Sequence, residues 1–320
     1  MRVVLPCLAL CAAGLAQAQP AWPTREIKIV IGFSAGGTTD IISRTLAPEL
    51  TRLWGQPLVI ENRSGAGGNI AGEMVAKARP DGYTFFMGSV GPLAVNASLY
   101  KAMAFDNLKD LAPVSLVAGV PNMLVFNPRT LPAANIREFM ALVKTQPGKY
   151  FYASTGSGTA SHLAGEMLRQ LTGVDITHVP YKGAVALNDV LAGESVHFMF
   201  PTIPAAIAHV RAGKLRAVAV TSLKRSAGLP DVPTVAESGV PGFDASSWFG
   251  LTGPAGLPRD IAVKISTDIA RVLKQADIRE RFIAQGADPV GSTPEEFGTY
   301  MRTETAKWAR LVKASGAKAD

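Results

Sequence analysis

Short apolar runs alternate with helical patterns along almost the whole chain, and this alternation constrains the fold more than any other feature of the sequence. It is typical of an α/β protein in which helices connect the strands of a parallel sheet. The first predicted helix, residues 40–54, carries an apolar stripe, and Pro48 within it is expected to bend it or to remove one hydrogen bond. The predicted strands are residues 27–33, 58–61, 83–87, 150–153, 177–179, 196–200 and 215–220.

The first 18 residues have the features of a cleaved export signal. Arg2 supplies a positive charge, residues 3–13 are apolar, and Ala16-Gln17-Ala18 provides the small residues of a cleavage site. The apolar stretch is shorter than the roughly 20 residues that span a bilayer, which argues against a membrane anchor. Cleavage after Ala18 would leave about 300 residues, a length that favours two domains.

Both cysteines, Cys7 and Cys11, lie within this signal segment. The mature chain is therefore predicted to have no thiol, which excludes disulfide bonds, cysteine nucleophiles and zinc sites built on cysteine. An exported protein without disulfides depends on an ordinary apolar core, and a hydrophobic fraction of 48% is sufficient for one.

The formal net charge of +7 is compatible with nucleic acid, an anionic membrane or small anions as partners. The basic residues are scattered, and the densest stretch, KLRAVAVTSLKR, has no interleaved aromatic residues. Export also separates the protein from nucleic acid. We therefore expect no nucleic-acid partner and favour a small anion.

Two glycine-containing turns share the pattern S-x-G-x-x-T. One is SAGGTT at residues 34–39, and the other is STGSGT at residues 154–159. Each follows a predicted strand and precedes a predicted helix, and the two lie about one domain length apart. Two further Gly-Ser turns, at residues 64–68 and 88–91, also follow predicted strands. If the sheet is parallel, these four turns gather along one edge.

Turns of this kind suit an anion. The first N–H groups of a helix lack an intrahelical partner and carry partial positive charge, and glycine lets a ligand approach the backbone closely. The simpler interpretation is that Gly36 and Gly37 only close a tight turn and that Thr38, Thr39 or Asp40 caps the helix. The recurrence of four such turns favours the binding interpretation.

The composition of the turns restricts the kind of anion. No lysine follows any of them in the manner of a phosphate-binding P-loop. The dinucleotide pattern G-x-G-x-x-G is approached only at Gly156 and Gly158, with Ser161 at its third glycine position. No cofactor is therefore expected. A small carboxylate, held by N–H groups, hydroxyls and bridging water, fits best.

Six segments together resemble the Bug/TctC family, the extracytoplasmic solute-binding proteins of tripartite tricarboxylate transporters. The resemblance runs from about Trp22 to the C-terminus. The segments are IKIVIGFSAGGTTDIISRTLAPEL, VIENRSGAGGNIAG, VAKARPDGYTFFMGSVGPLAVNASLY, VPYKG, AGKLRAVAVTS and PTVAESGVPGFDASSWFGLTGPAGLP.

The resemblance implies an α/β fold of the type II periplasmic-binding-protein (flytrap) class, with two α/β lobes and a ligand cleft between them. It assigns residues 24–125 and 245–320 to lobe 1 and residues 126–244 to lobe 2. It further implies a monomeric periplasmic protein that captures a dicarboxylate, tricarboxylate or aromatic carboxylate for the membrane permease subunits of a tripartite tricarboxylate transporter. Some family members are thought to act in sensing, so a ligand-sensing protein that feeds a signalling partner stays open.

Family loops matching residues 34–39 and 88–91 hold a ligand carboxylate from the first lobe, often with two ordered waters, and the loop matching residues 154–159 closes from the second. The residues that the resemblance implies as ligand-binding are Ser34, Ala35, Gly36, Gly37, Thr38, Asp40, Ala66, Gly67, Ser89, Ser154, Thr155, Ser157, Gly158 and His162. In one departure, Pro201 and Thr202 stand where many relatives carry an acidic residue facing the cleft. Without a carboxylate at this position, the ammonium group of a ligand would have no ionic partner, which favours a ligand without an amine.

The strongest catalytic alternative is an exported hydrolase with Ser157 as nucleophile and His162 as its base. Ser157 lies outside any G-x-S-x-G elbow, so no catalytic residue is expected. His178, His197 and His209 stand singly, without a second histidine at helical spacing, so no metal site is expected either.

Overall fold

The computed structural model describes residues 22–315 and 318–319. The predicted export signal, residues 1–18, and both of its cysteines lie outside the described residues. Across the described part of the chain, no helix is both long enough and apolar enough to cross a lipid bilayer.

Strands and helices alternate along the chain, as predicted for an α/β protein. The strands are β1 (Ile27–Ile31), β2 (Leu58–Asn62), β3 (Thr84–Ser89), β4 (Leu111–Val120), β5 (Met123–Phe126), β6 (Tyr150–Ser154), β7 (Ile176–Pro180), β8 (Phe198–Met199), β9 (Arg216–Val220), β10 (Ser247–Pro254) and β11 (Asp288–Pro289). The helices are α1 (Thr38–Trp54), α2 (Asn69–Ala76), α3 (Asn96–Leu99), α4 (Ile136–Thr145), α5 (Ala160–Thr172), α6 (Ala186–Ala192), α7 (Ile203–Arg211), α8 (Arg259–Leu273), α9 (Ala276–Ala284) and α10 (Pro294–Ser315).

The strands form two separate sheets, which give the molecule two lobes. The first sheet has the order β11-β4-β10-β3-β1-β2, and the second has the order β7-β6-β8-β5-β9. Strand β1 pairs in parallel with β2 and β3, and β6 pairs in parallel with β7 and β8. The prediction of an α/β protein with two lobes is therefore confirmed.

The predicted parallel pairing is present, but it does not extend through either sheet. Strand β10 runs antiparallel between β3 and β4, and β5 runs antiparallel to β8 and β9. Both are strands that the chain enters just after it has passed from one lobe to the other. Each of these strands pairs antiparallel with its neighbours in the lobe that the chain has entered, so each sheet is mixed.

Strands β4, β5, β10 and β11 were not predicted from the sequence, although each of the predicted strands is present. Strand β10, SWFGLTGP, shows why, because every one of its residues is buried. A strand covered on both faces has no alternation of apolar and polar residues. Its glycines and terminal proline also resemble a loop in sequence. The predicted strand at residues 196–200 is present only as the two-residue β8.

The lobes are joined by two chain crossings that are hydrogen-bonded to each other. Asn122 lies between β4 and β5, and its N–H donates to Oγ1 of Thr221 over 2.9 Å. The Thr221 N–H donates back to the Asn122 carbonyl over 2.8 Å, and Ser247 Oγ donates to Asn122 Oδ1 over 2.7 Å. Strand β5 pairs within the second sheet from Met123 onward, while the predicted lobe boundary after residue 125 stays a prediction.

Helix α1 packs its predicted apolar stripe into the first lobe, where Ile42, Leu46, Leu50 and Trp54 are buried. The helix continues through Pro48 to its end, and one intrahelical hydrogen bond is missing there because proline has no N–H. Packing of this stripe against the sheet fixes the start of α1 just beyond the carboxyl end of β1.

A buried carboxylate fastens α10 to β10, the strand that returns from the second lobe. Trp248 in β10 and Trp308 in α10 are both buried, and each indole N–H donates to Oε2 of Glu304 over 2.9 Å. The Nζ of Lys307 lies 3.5 Å from the other carboxylate oxygen. Glu304 is thereby the shared acceptor of two buried donors.

Replacement of this acceptor should destabilise the protein. Glu304→Leu would leave two buried indole N–H groups without a partner, at about 1–3 kcal/mol each, so we expect the free energy of unfolding to fall by about 3 kcal/mol. Urea denaturation measures the change. Glu304→Gln keeps an oxygen acceptor and should lose less, and equal losses in the two variants would contradict the shared-acceptor role.

Candidate ligand-binding site

A cavity of about 110 Å³ lies between the two lobes. Its walls come from the turn between β1 and α1, from Ser89 at the end of β3, from the start of α5, and from the crossing segments at Asn122 and Ser247. Turns that are far apart in sequence meet here because they follow the carboxyl ends of parallel strands.

The start of α1 lies at this cavity. Gly36 has a φ of +80°, a conformation that glycine adopts without a Cβ clash, and Gly37 is the N-cap of the helix. Within the described residues no side chain caps this end of α1. The N–H groups of Thr38 and Thr39 therefore lack a partner in the helix, and both threonines line the cavity.

The start of α5 faces the same cavity from the second lobe. Thr159 is the N-cap, and its Oγ1 accepts the His162 N–H over 3.4 Å. The N–H groups of Ala160 and Ser161 then have no intrahelical partner, and both residues line the cavity. The buried hydroxyl of Ser161 has no hydrogen-bond partner among the described residues. The first lobe thus brings the start of α1 to the cavity, and the second lobe brings the start of α5 and, at Thr202, that of α7.

The cavity is flanked by helix N-termini and not by basic side chains. Among the described residues that line it, none is Asp, Glu, Lys, Arg or His. The aligned peptide dipoles of a helix place a partial charge of about +0.5 at its N-terminus, and the starts of α1, α5 and α7 all flank this space. Helix N-termini are established sites for carboxylate and phosphate groups, so the arrangement suits an anion.

Asp40 lies beneath the first turn and fixes its conformation. The buried carboxylate accepts the Gly36 N–H over 3.0 Å, the Arg44 Nε–H over 2.9 Å and the Asn62 Nδ2–H over 3.2 Å. Burial alone would raise the pKa of Asp40, but the hydrogen bonds from Arg44, Gly36 and Asn62 outweigh it and hold the pKa below its ordinary value. Asp40 is therefore ionised at neutral pH.

Two histidines, the buried His162 and the half-buried His178, support the second turn. The rings of His162 and His178 stack with their centroids 4.0 Å apart. Nδ1 of His162 accepts the Gly158 N–H over 3.1 Å, and Nε2 of His178 lies 2.6 Å from Oγ of Ser154. Burial lowers the pKa of both rings, and that of His178, which also has His162 beside it, falls to about 3. Both rings are therefore neutral near pH 7 and hold the turn from beneath.

A wider groove of about 600 Å³ adjoins the cavity and shares Phe33, Ser34, Thr155 and Gly183 with it. Loop 64–68 of the first lobe lines the groove. At its Gly67, a Cβ would lie 3.2 Å from the carbonyl oxygen of Ser157 in the second lobe. The cavity and the groove therefore form one continuous space between closely approaching lobes.

The structure distributes the sequence-predicted site residues among three places. The residues that line the cavity are Ser34, Gly36, Gly37, Thr38, Ser89 and Thr155. The residues that line the groove instead are Ala66, Gly67 and Ser157. The residues that line neither space are Ala35, Asp40, Ser154, Gly158 and His162. The last group lies in or directly under the two turns, and a direct role in binding stays a prediction for all fourteen.

Sequence reasoning missed several polar residues of the cavity wall. Three of them lie at the starts of the two helices: Thr39, Thr159 and Ser161. They could have been predicted if all residues at each helix start had been treated as possible hydrogen-bond donors. Asn122 and Ser247 carry no local signal. They reach the cavity only because both chain crossings pass beside it.

The serine and histidine geometry differs from that of a hydrolase. Nδ1 of His162 accepts from the Gly158 backbone, and the described contacts of this ring include none with Ser157. Ser154 does contact His178, but its side chain is fully buried in this structure. Within residues 22–315 and 318–319, no three His, Cys, Asp or Glu side chains cluster as ligands for a metal ion.

The chain is similar to a family of transport receptors over most of its length. The profile of the TctC family, described as tripartite tricarboxylate transporter family receptor, matches residues 42–317. Protein BugT of Bordetella pertussis is 40% identical over 299 residues, which cover 93% of this chain and 91% of BugT.

Solved structures of similar sequence share the whole fold. The R. palustris protein Rpa4515, solved with adipate, is 38% identical with a TM-score of 0.89, covering 93% of this chain and 99% of that chain. The periplasmic binding protein BugD is 35% identical with a TM-score of 0.87, covering 93% of this chain and 100% of that chain. The predicted periplasmic-binding-protein fold is thereby confirmed.

Loss of the Asp40 carboxylate should loosen the first turn. Hydrogen bonds to charged groups contribute about 1.5–3 kcal/mol, so we expect Asp40→Ala to lower the free energy of unfolding by about 2 kcal/mol. Hydrogen exchange should become faster at the amides of residues 34–39. Asp40→Asn retains an acceptor oxygen and serves as the milder control. An unchanged exchange rate at the turn in Asp40→Ala would show that other contacts fix it.

Proposed function

The chain belongs to the TctC family of tripartite tricarboxylate transporter receptors, and on this basis we propose that it captures a small carboxylate in the periplasm for a membrane permease. The observation that carries the proposal is the pair of helix N-termini, one from each lobe, that line a single cavity without ionisable side chains in the described chain. The matched family is one of receptors rather than of enzymes.

A carboxylate matches the donors that the cavity offers. Its two oxygens accept several hydrogen bonds at once. The starts of α1 and α5 supply backbone N–H groups at Thr38, Thr39, Ala160 and Ser161, and hydrogen bonds to an ionised acceptor are stronger than neutral ones. The adipate in the similar Rpa4515 structure supports a carboxylate over other anions.

Close contact between the lobes supports capture by closure. The hydroxyls of Thr38 in the first lobe and Thr202 in the second are hydrogen-bonded to each other beside the cavity. A Cβ at Gly158 of the second lobe would lie 2.5 Å from Leu99 Cδ2 and 2.6 Å from Asn96 Oδ1 of the first. We infer that solute enters an open form through the groove and that closure completes its hydrogen bonds. A closed monomer then offers the permease a surface built from both lobes.

The proposed binding residues act in different ways. Ser34, Gly36, Gly37, Thr38, Ser89 and Thr155 contact the solute, and Ala66, Gly67 and Ser157 line its entry. Ala35, Asp40, Ser154, Gly158 and His162 shape the two turns. In this proposal residues 24–125 and 245–320 form one closing lobe and residues 126–244 the other, after export has removed residues 1–18.

A thermal-shift screen against carboxylic acids tests the proposed function. A ligand at 100 times its dissociation constant adds about 2.7 kcal/mol of stability, which is readily detected. The matching primary amides, which carry no charge, are the control and should give no shift. Native mass spectrometry of protein purified without refolding should find a retained acid that is released unchanged. If no acid stabilises the protein and none co-purifies, the proposed function is wrong.

The importance of lobe approach is tested at Gly158. Gly158→Ala would place a methyl group against Leu99 and Asn96 of the opposite lobe, so we expect affinity for the retained acid to fall by a factor of ten or more. Gly173→Ala is the matched control, because Gly173 also has a positive φ, of +69°, but a Cβ there meets nothing within 4 Å. Calorimetric titration measures the affinity of both variants. Gly173→Ala reports the effect of backbone strain alone, and Gly158→Ala adds the collision with the opposite lobe. Equal affinities would contradict closure at this contact.

A further inference from the structure

The cavity has two chemically different ends, and the difference restricts the solute further than the proposed function does. The starts of α1 and α5 form the first end. The second end is formed where the crossing segments pass, at Asn122, Thr202 and Ser247, and it adjoins the first end through the hydrogen bond between Thr202 and Thr38. The supply of unused hydrogen-bond donors differs sharply between them.

Unused donors are concentrated at the first end. The backbone N–H groups at the two helix starts have no acceptor in their helices. The Ser161 side chain is only 3% exposed, yet its Oγ has no hydrogen-bond partner in the described chain. Buried hydroxyls are rarely left unsatisfied in native proteins. A bound anion at this end would satisfy Ser161 together with the backbone donors.

The polar groups of the second end are largely occupied by one another. The Asn122 Nδ2 donates to the Phe200 carbonyl over 2.6 Å. The Ser247 hydroxyl proton goes to Asn122 Oδ1 over 2.7 Å, and one of the two hydroxyl protons of Thr38 and Thr202 is used between those residues. Thr202 is also the N-cap of α7, but Pro204 has no N–H, and the N–H groups of Ile203 and Ala205 donate to the carbonyls of Pro121 and Thr202 over 3.1 Å each. Few donors are therefore left over to replace the water around a second charged group.

Apolar side chains complete the wall beside these occupied groups. Met199 and Pro201 precede Thr202 in the chain, Ala205 follows it by less than one helical turn, and Phe249 lies two residues beyond Ser247. A carboxylate or an ammonium group placed against them would lose its water and gain no counter-ion. A hydrocarbon body would instead bury apolar surface there.

We propose that the solute is a monocarboxylate with an uncharged, largely apolar body and no amino group. Its carboxylate accepts from the starts of α1 and α5 and from the Ser161 hydroxyl, and its body lies against Met199, Pro201 and Phe249. This inference rests on the proposed function and names the class of solute within it. A dicarboxylate could place its second charge only in the adjoining groove, where Lys182 is the charged residue on the described wall.

Matched acids of equal chain length test the inference. Hexanoate, adipate and 6-aminohexanoate differ only in the group at the far end, as do butyrate, succinate and 4-aminobutyrate. Calorimetric titration of the ligand-free full-length mature protein should give the tightest binding for the monocarboxylate, by a factor of about ten or more, in whichever set binds. Tightest binding of a diacid or an amino acid overturns the inference and leaves the proposed function standing. If none of the six binds, the retained acid identified by native mass spectrometry decides: an acid with a second charged group overturns the inference alone, and the absence of any acid contradicts both.

Ser161 provides an independent test of where the carboxylate sits. Ser161→Ala removes a hydroxyl without a partner, so we expect no loss of thermal stability in the free protein but about a tenfold loss of monocarboxylate affinity. Ser266→Ala is the control, because this buried serine donates to the Val263 carbonyl in α8 and is not among the described residues that line the cavity. It should lower stability and leave affinity unchanged. Unchanged affinity in Ser161→Ala would overturn this placement of the carboxylate.

Discussion

Backbone N–H groups at the starts of α1 and α5 have no acceptor inside their helices, and the rest of the architecture brings these two helix starts to one space. The first sheet carries α1 directly after β1, and the second carries α5 directly after β6. The two sheets meet so that both helix starts line one cavity. Partial positive charge is thereby concentrated without a basic side chain, so the site does not require a buried cation in the empty protein.

A different side chain beneath each helix start fixes the conformation of its turn. In the first lobe an ionised carboxylate, Asp40, accepts the Gly36 N–H and is itself neutralised by Arg44. In the second lobe the neutral ring of His162 accepts the Gly158 N–H and is covered by His178. Both side chains accept a glycine N–H from beneath the turn. The N–H groups without an acceptor in their helix are those of the first helical residues, which line the cavity. The positions that support the site are therefore distinct from those that line it.

Elements marked by neighbouring residues could be predicted from the sequence of this protein, whereas features set by contacts between distant segments could not. The helix starts could be predicted because glycine, threonine and an apolar stripe mark them within a few residues of sequence. Strand β10 could not, because burial on both faces removed the alternation that marks a strand. The pattern S-x-G-x-x-T identified both turns, but it could not predict which of its residues line the cavity. Thr155 lines the cavity, whereas its neighbour Ser154 is buried beneath the turn.

The sequence by itself determined the local elements, the two glycine turns and the resemblance to a family of solute-binding receptors, because each is encoded in neighbouring residues or in the order of motifs. Only the tertiary structure decided that Asn122, Thr202 and Ser247 belong to the cavity wall and that their polar groups are occupied there. These residues meet through chain crossings and sheet pairing that join segments far apart in sequence. Their hydrogen-bond partners exist only after folding, and those partners determine which end of the cavity can hold a charge.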